Sequence, residues 1–449
     1  MHTVTRLITG LALASGVLGR VKYLGVAIPG IDLGCDIDGS CPLDTVELPL
    51  TEFGGGDGAG QMKHFVEDDG FNVFRLPTSW QFIVNHKLGA DLDETNFGQY
   101  DKLMQACLDT GAYCMIDVHN FARWDDSVIG QGGDVSDDDF VQLWVQLADK
   151  YGKNNKVIFG LMNEPHDLDV NLWAQTCQKV VTAVRKAGAK SNMILLPGTN
   201  FASAETFVSS GSAEALGAIE NPDGSKDNLY LDLHKYLDEN NSGTFSECTT
   251  DNVEAFKTIA TWLRKNKRQA MISESGASME DSCMEKFCTQ NEFIAKNSDV
   301  FVGFVGWGAG SFKSDYILTL TPEWTDGAYV DNKLMKECII KPFIKNAPPE
   351  TTTSSSTKAS RTKAPHSKTS ATESSATEVV TTSTKRVFKE ETETTMPQAS
   401  ATEPPTSNAS SSEDDDEDKD SGSDRSRQSF AGGLVLAGVA LFHAGMRFL

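Results

Sequence analysis

VIFGLMNEPHD, residues 157–167, passes from apolar to polar within a few positions. Val157 to Leu161 form a continuous, mostly apolar run, which is the pattern of a strand buried on both faces of a parallel sheet. The run then ends in Asn163 and Glu164 side by side, and Pro165 fixes the chain directly after them. A buried strand that stops by presenting an amide and a carboxylic acid needs something for those groups to face.

Seven further segments have the form of buried strands: KYLGVAIPG (22–30), FNVFRLPTSW (71–80), AYCMIDVHN (112–120), NMILLPGTN (192–200), LYLDLHKYL (229–237), QAMISESG (269–276) and VFVGFVGWGAG (300–310). Amphipathic helical patterns lie between them. In SDDDFVQLWVQLADKYG (136–152), Ser136 is placed as an N-cap, Phe140, Leu143, Trp144, Leu147 and Tyr151 share one face, and Gly152 marks the end. VEAFKTIATWLRKNK (253–267) repeats the form. Alternating strands and helices over residues 20–346 predict an α/β fold, a closed (β/α)8 TIM barrel. An open doubly wound sheet is the alternative, but no Gly-rich phosphate fingerprint follows the first strand.

The rest of the chain has another chemistry. Residues 1–19 carry Arg6, an apolar run and small residues before Arg20, and read as a secretory signal peptide. Residues 347–428 are Ser, Thr, Pro, Lys and Glu with almost no large apolar side chains, so a disordered, O-glycosylated stalk is expected. Residues 429–449 are an apolar tail. With Ser421 and Gly422 as small attachment residues and a polar spacer, this tail fits a glycolipid (GPI) anchor signal; a single transmembrane helix is the rival reading.

Nine cysteines in a secreted chain imply disulfides with one thiol left over. Cys35 with Cys41 and Cys107 with Cys114 are close enough to close small loops, and Cys177 lies on the apolar stripe of a helix, where it reads as the odd, inert thiol. Without a CxxC pair, zinc and redox readings are poor. The formal charge of −23 argues against nucleic acid and favours a neutral polymer as partner. A monomer is expected.

In such a barrel, polar residues at the C-terminal ends of strands point into the active site. Here those positions hold Arg75, Asp117, His119, Asn120, Asn163, Glu164, His234, Tyr236, Glu274 and Trp307. No serine nucleophile elbow is present, and the histidines and carboxylates lack the tight helical spacing of a metal site, so neither metal nor cofactor is called for. Two glutamates, Glu164 and Glu274, remain among neutral polar and aromatic groups. Glycosidic bond cleavage needs such a pair, one as acid and one as base or nucleophile.

MNEPHD (162–167), ISESG (272–276), DVHNFARW (117–124), LHKYLD (233–238) and VGWGAGSF (305–312) together resemble the site segments of the fungal endoglucanases (cellulases) of glycoside hydrolase family 5, and the likeness spans about residues 21 to 343. The resemblance implies Glu274 as nucleophile, Glu164 as acid/base and retention of anomeric configuration. It implies Arg75 as the group that keeps Glu274 ionised, Asn163 on the sugar 2-hydroxyl, Tyr236 beside the nucleophile, His119, Asn120 and His234 as substrate-binding or supporting groups, and Trp307 under a pyranose ring. It suggests the bridges Cys248–Cys283 and Cys288–Cys338. One departure is Glu274-Ser275-Gly276-Ala277-Ser278, where relatives commonly read Glu-Thr-Gly and a Gly-rich loop; rate or subsite preference is what that change puts in question.

The expected function is therefore a cell-surface endo-β-1,4-glucanase acting on cellulose or related β-glucan. Alternatives are the same mechanism on mixed-linkage glucan, β-1,3-glucan or mannan, wall transglycosylation, or a surface lectin that keeps the barrel without turnover. Asn240 and Asn408 are glycosylation sequons. Trp80, Trp124 and Trp324 are open between sugar platforms and packing.

Overall fold

The computed structural model describes residues 20–345. The expected signal peptide, stalk and tail, with Asn408, Ser421 and Gly422, lie outside the described residues. Eight parallel strands close into a barrel: β1 (Tyr23–Ala27), β2 (Val73–Thr78), β3 (Tyr113–Val118), β4 (Val157–Gly160), β5 (Ile194–Pro197), β6 (Leu229–His234), β7 (Ala270–Ser275) and β8 (Phe301–Gly306). Each pairs with its sequence neighbours, and β1 pairs with β8 to shut the ring. Every strand falls inside one of the eight segments read from the sequence.

Alternation along the strands divides the core into two parts. Tyr23, Val73, Met115, Ile158, Leu195, Met271 and Val305 fill the barrel interior. Leu24, Phe74, Ile116, Phe159, Leu196, Ile272 and Phe304 face outward into the larger core under the helices. Both faces are buried, which is why these strands read as unbroken apolar runs.

Seven longer helices follow the strands: α1 (Gly58–Glu67), α2 (Asn96–Asp109), α3 (Asp137–Tyr151), α4 (Val170–Lys186), α5 (Ser212–Gly217), α6 (Val253–Asn266) and α7 (Asp281–Lys296). Ser136 caps α3 in a reciprocal capping box with Asp139, which satisfies amides that the first turn leaves unpaired. Gly152 does end α3, but in the right-handed region rather than the left-handed one. A Cβ there would lie 2.5 Å from the Ala148 carbonyl oxygen and 2.7 Å from the Ala189 Cβ, so close packing is what requires glycine at this helix end.

Trp80 is not a surface platform: it is 1% exposed, packed edge-on against Trp124 and tilted on Phe140. Trp124 is buried as well, whereas Trp324 stands 65% exposed on the hairpin formed by Glu323–Thr325 and Ala328–Val330. The chain then enters a π-type helix, Met335–Lys345, which packs on α7.

Four disulfides are present: Cys35–Cys41, Cys107–Cys114, Cys248–Cys283 and Cys288–Cys338. Cys177, within α4, is free and fully buried, and burial pushes its thiol above the ordinary range. Thiol titration of the denatured, unreduced protein should find one reactive cysteine per chain and none in the native fold; three thiols on denaturation would mean that one of these bridges does not form.

Candidate active site

Strand pairing decides what meets at the C-terminal mouth of the barrel. Arg75 shares the inward parity of Val73 on β2, and Asp117 that of Met115 on β3. On β6, Asp232 and His234 share the parity of Tyr230, which packs on the interior cluster. Strand β7 breaks the rule. Met271 faces inward, so strict alternation would turn Glu274 outward. A register irregularity, with Leu233 paired to Ile272 and His234 to Glu274, inserts one extra residue and brings Glu274 level with His234. Gly276 follows where a Cβ would lie 2.7 Å from the Trp307 carbonyl oxygen, so the chain passes close under β8.

Glu274 is held from two sides. Arg75 Nη1 donates to its Oε2, and the Tyr236 hydroxyl donates to its Oε1 at 2.6 Å. Arg75, 1% exposed, also donates through Nη2 to Asn163 Oδ1 at 2.7 Å and pairs with Asp117 Oδ2 at 2.9 Å. Burial alone would push the Glu274 carboxyl up, but the charges of His234 and Arg75, with the Tyr236 bond, outweigh it and hold the carboxyl below its usual range. Burial likewise drives the Tyr236 hydroxyl upward, so it stays a donor.

Glu164 sits differently. It lies beyond the end of β4, its side chain 16% exposed, with its backbone in the left-handed region at φ 41°. A non-glycine residue there costs about 1 kcal/mol or more and persists only where its neighbours over-determine it. They do so here: the Asn163 amide bonds the Val118 carbonyl at 2.8 Å, and the Phe201 amide bonds the Pro165 carbonyl at 3.0 Å. His166 Nε2 meets the Ile37 carbonyl at 2.8 Å while its ring stacks on Phe201. His234 bridges the two acids. Its Nδ1 lies 2.8 Å from Glu164 Oε1 and 3.8 Å from Glu274 Oε1, and its Nε2 meets Ser273 Oγ at 3.0 Å. One oxygen of each glutamate and one His234 nitrogen lie within 4.8 Å of one another.

Trp307 forms one wall, its ring stacked on His119 at 5.5 Å and its Nε1 donating to Tyr316 at 3.2 Å. His119 Nδ1 meets Asp117 Oδ2 at 2.9 Å. Asn120 is different from its neighbours. Its oxygen accepts from the Trp80 amide at 2.7 Å and its nitrogen donates to Gln81 Oε1 at 2.6 Å, so the side chain is spent on holding the loop after β2. Asn240 is exposed, its own Oδ1 occupied by Ser242.

Sequence reading passed over Ser273, Asp232 and His166. Asp232 is a buried carboxyl whose Oδ1 has no hydrogen-bond partner among the described residues, and burial raises it above the ordinary range. His166 and Ser273 lie inside the quoted MNEPHD and ISESG segments but carry no role of their own there; for Asp232, the two-residue step to His234 on one strand was the available signal. The altered residues after Glu274 also find their reason here: Ser275 Oγ donates to the Lys235 carbonyl at 2.6 Å and Ser278 Oγ to the Ser246 carbonyl at 2.5 Å, tying the ends of β6 and β7 together.

Replacing Tyr236 with Phe should raise the Glu274 pKa, read by carbon NMR of the carboxyl, by about one unit or more, because a hydrogen bond to a charged group contributes about 1.5–3 kcal/mol and one unit is about 1.4 kcal/mol. An unchanged value would mean that the hydroxyl does not favour the ionised form.

Known proteins carry the same architecture. Residues 41–310 match the family described as cellulase (glycosyl hydrolase family 5). Endoglucanase EG-II of Hypocrea jecorina is 51% identical over 326 residues, 72% of this chain and 78% of that protein. Endoglucanase 1 of Saitozyma flava is 43% identical over 320 residues, 71% of this chain and 89% of that one. The crystal structure of Cel5A (EG2) from Hypocrea jecorina matches with a TM-score of 0.70 at 50% identity, over 72% of this chain and 99% of that chain. With a closed barrel, two glutamates facing each other at its mouth and these relatives, the chain is a glycoside hydrolase and belongs to the cellulase family, glycosyl hydrolase family 5.

Proposed function

We propose that the protein is an endo-β-1,4-glucanase that cleaves internal bonds of cellulose-like β-glucan by a retaining double displacement, with Glu274 as nucleophile and Glu164 as acid/base. The observation that carries this reading is the unequal treatment of two close glutamates. Glu274 is buried, bonded by Arg75 and Tyr236 and held ionised, as attack on an anomeric carbon requires. Glu164 is more open, and among the described residues its carboxylate hydrogen-bonds only His234, so its oxygen can reach a leaving group and later a water.

Separation supports retention. Carboxylates about 5–5.5 Å apart act by covalent intermediate, whereas inverting pairs stand about 6.5–9.5 Å apart to admit a water, and here two oxygens lie within 4.8 Å. In the first step the Glu274 carboxylate bonds the anomeric carbon while Glu164 gives its proton to the departing glycosidic oxygen. In the second, Glu164 takes a proton from water, whose oxygen displaces Glu274. Asn163, oriented by Arg75, would bond the sugar 2-hydroxyl as the oxocarbenium-like charge develops, and Trp307 would stack under a ring. The endo-β-1,4 specificity rests on the endoglucanase relatives, EG-II among them.

Location at the cell surface is part of the same proposal. Four disulfides favour an oxidising compartment, and the leader-like residues 1–19 and the tail 429–449 suggest secretion and glycolipid anchoring. A phospholipase specific for glycolipid anchors should release the protein from intact cells; retention on the cells would favour a transmembrane tail.

Purified protein should rapidly lower the viscosity of carboxymethyl cellulose and barley β-glucan while leaving laminarin and mannan nearly untouched. Glu164→Gln and Glu274→Gln should each lose at least about 10³-fold in activity with melting temperature retained, Glu164 through loss of a positioned proton-transfer group and Glu274 through loss of the nucleophile. Hydrolysis of laminarin or mannan alone would keep the two-glutamate chemistry and replace the substrate; a folded variant with substantial activity would remove that residue from the reaction.

A further inference from the structure

A second cluster of potential ligand atoms lies outside the catalytic contacts. His64 is on the last turns of α1, Asp69 in the turn that leads into β2, and Asp331 just after the exposed hairpin. His64 Nε2 is 3.1 Å from Asp331 Oδ1 and 3.6 Å from Asp69 Oδ2, and all three ligand atoms lie within 4.8 Å of one another. Their side chains are 7%, 7% and 9% exposed for His64, Asp331 and Asp69. On its other side, His64 Nδ1 meets Asp68 Oδ2 at 2.7 Å.

Protein hydrogen bonds do not account for this arrangement. A protonated His64 would satisfy Asp68 and Asp331, yet among the described residues Asp69 Oδ2 is buried with no hydrogen-bond partner. Three carboxylates converge on one imidazole, and among the described residues no Lys or Arg pairs with any of them. A cation would supply the counter-charge that three carboxylates around one imidazole lack. Zinc bonded at about 2.0–2.2 Å in a tetrahedron spaces its ligands about 3.4 Å apart, close to the two separations seen here. An imidazole whose other nitrogen is held by a carboxylate is the usual setting of a metal-bound histidine.

We propose that His64 Nε2, Asp69 Oδ2 and Asp331 Oδ1 bind a first-row divalent cation, Zn²⁺ or Mn²⁺, with Asp68 orienting the imidazole. One nitrogen and two carboxylate oxygens suit these ions better than calcium, which takes six or more oxygens. The site joins the first helix of the barrel to the segment before the last helix, and the Tyr329 ring of the hairpin packs on the same imidazole at 5.6 Å. The ion therefore ties the two ends of the barrel chain together and takes no part in the chemistry at Glu164 and Glu274.

The test uses the full chain, stripped with a chelator, dialysed and titrated with Zn²⁺, Mn²⁺ and Ca²⁺ by calorimetry and thermal melting. The expected result is one Zn²⁺ or Mn²⁺ per chain, with a rise of a few degrees in melting temperature. Asp69→Asn should weaken binding at least 10-fold and abolish the rise while leaving the metal-free melting temperature unchanged or higher, since it removes a buried carboxylate without a partner. His64→Gln should do the same to binding. No metal-dependent rise in the parent protein, or a preference for Ca²⁺, would overturn the proposal. So would equal affinity in parent and variants, which would place the ion elsewhere, at Glu164, His234 and Glu274 for instance.

Discussion

Arg75 is the residue on which the barrel mouth depends. Its guanidinium is buried against Glu274, Asp117 and Asn163, and removing one partner from such a set typically costs about 3–5 kcal/mol because the other charge is left unpaired. Asp117 in turn holds His119, and Glu274 raises the affinity of His234 for a proton against the opposing effect of burial. The result is a set of alternating charges in which each neighbour fixes the ionisation of the next. No acid in the set can change its protonation without altering the pull on the others.

That coupling places two glutamates a few ångströms apart in different surroundings. Glu274 lies at the bottom of the network with two donors, and Glu164 lies at its edge with one imidazole as neighbour. The backbone contributes as well, because the left-handed turn at Glu164 is held by bonds from the ends of two neighbouring strands.

The barrel was legible because parallel strands buried on both faces leave apolar runs that polar residues terminate. Asn163 to Asp167, and the corresponding ends of the other strands, are visible without coordinates. What escaped was anything set by register. Alternation from Met271 puts Glu274 on the wrong face, and only the irregular pairing with His234 turns it inward. Asn120 ends a strand like the others but is consumed by Trp80 and Gln81, because the loop after β2 needs buried partners for its polar groups. Trp80 was ambiguous for a similar reason: an indole at a strand end serves equally for stacking a sugar or filling a core. The cluster of His64, Asp69 and Asp331 has no local spacing at all, since its third member comes from the opposite end of the domain.

The bond between Cys288 and Cys338 also governs how the domain carries load. It joins α7 to the π-type helix that ends at Lys345, where the described chain leaves the barrel. Tension applied beyond Lys345 crosses that sulfur bridge into α7 and passes along the backbone toward Glu274. The covalent loop from 289 to 337, which contains β8, Trp307 and the exposed hairpin, lies off that path. Along the covalent chain, a pull at Lys345 therefore bypasses the segment that carries Trp307, the aromatic wall of the cleft.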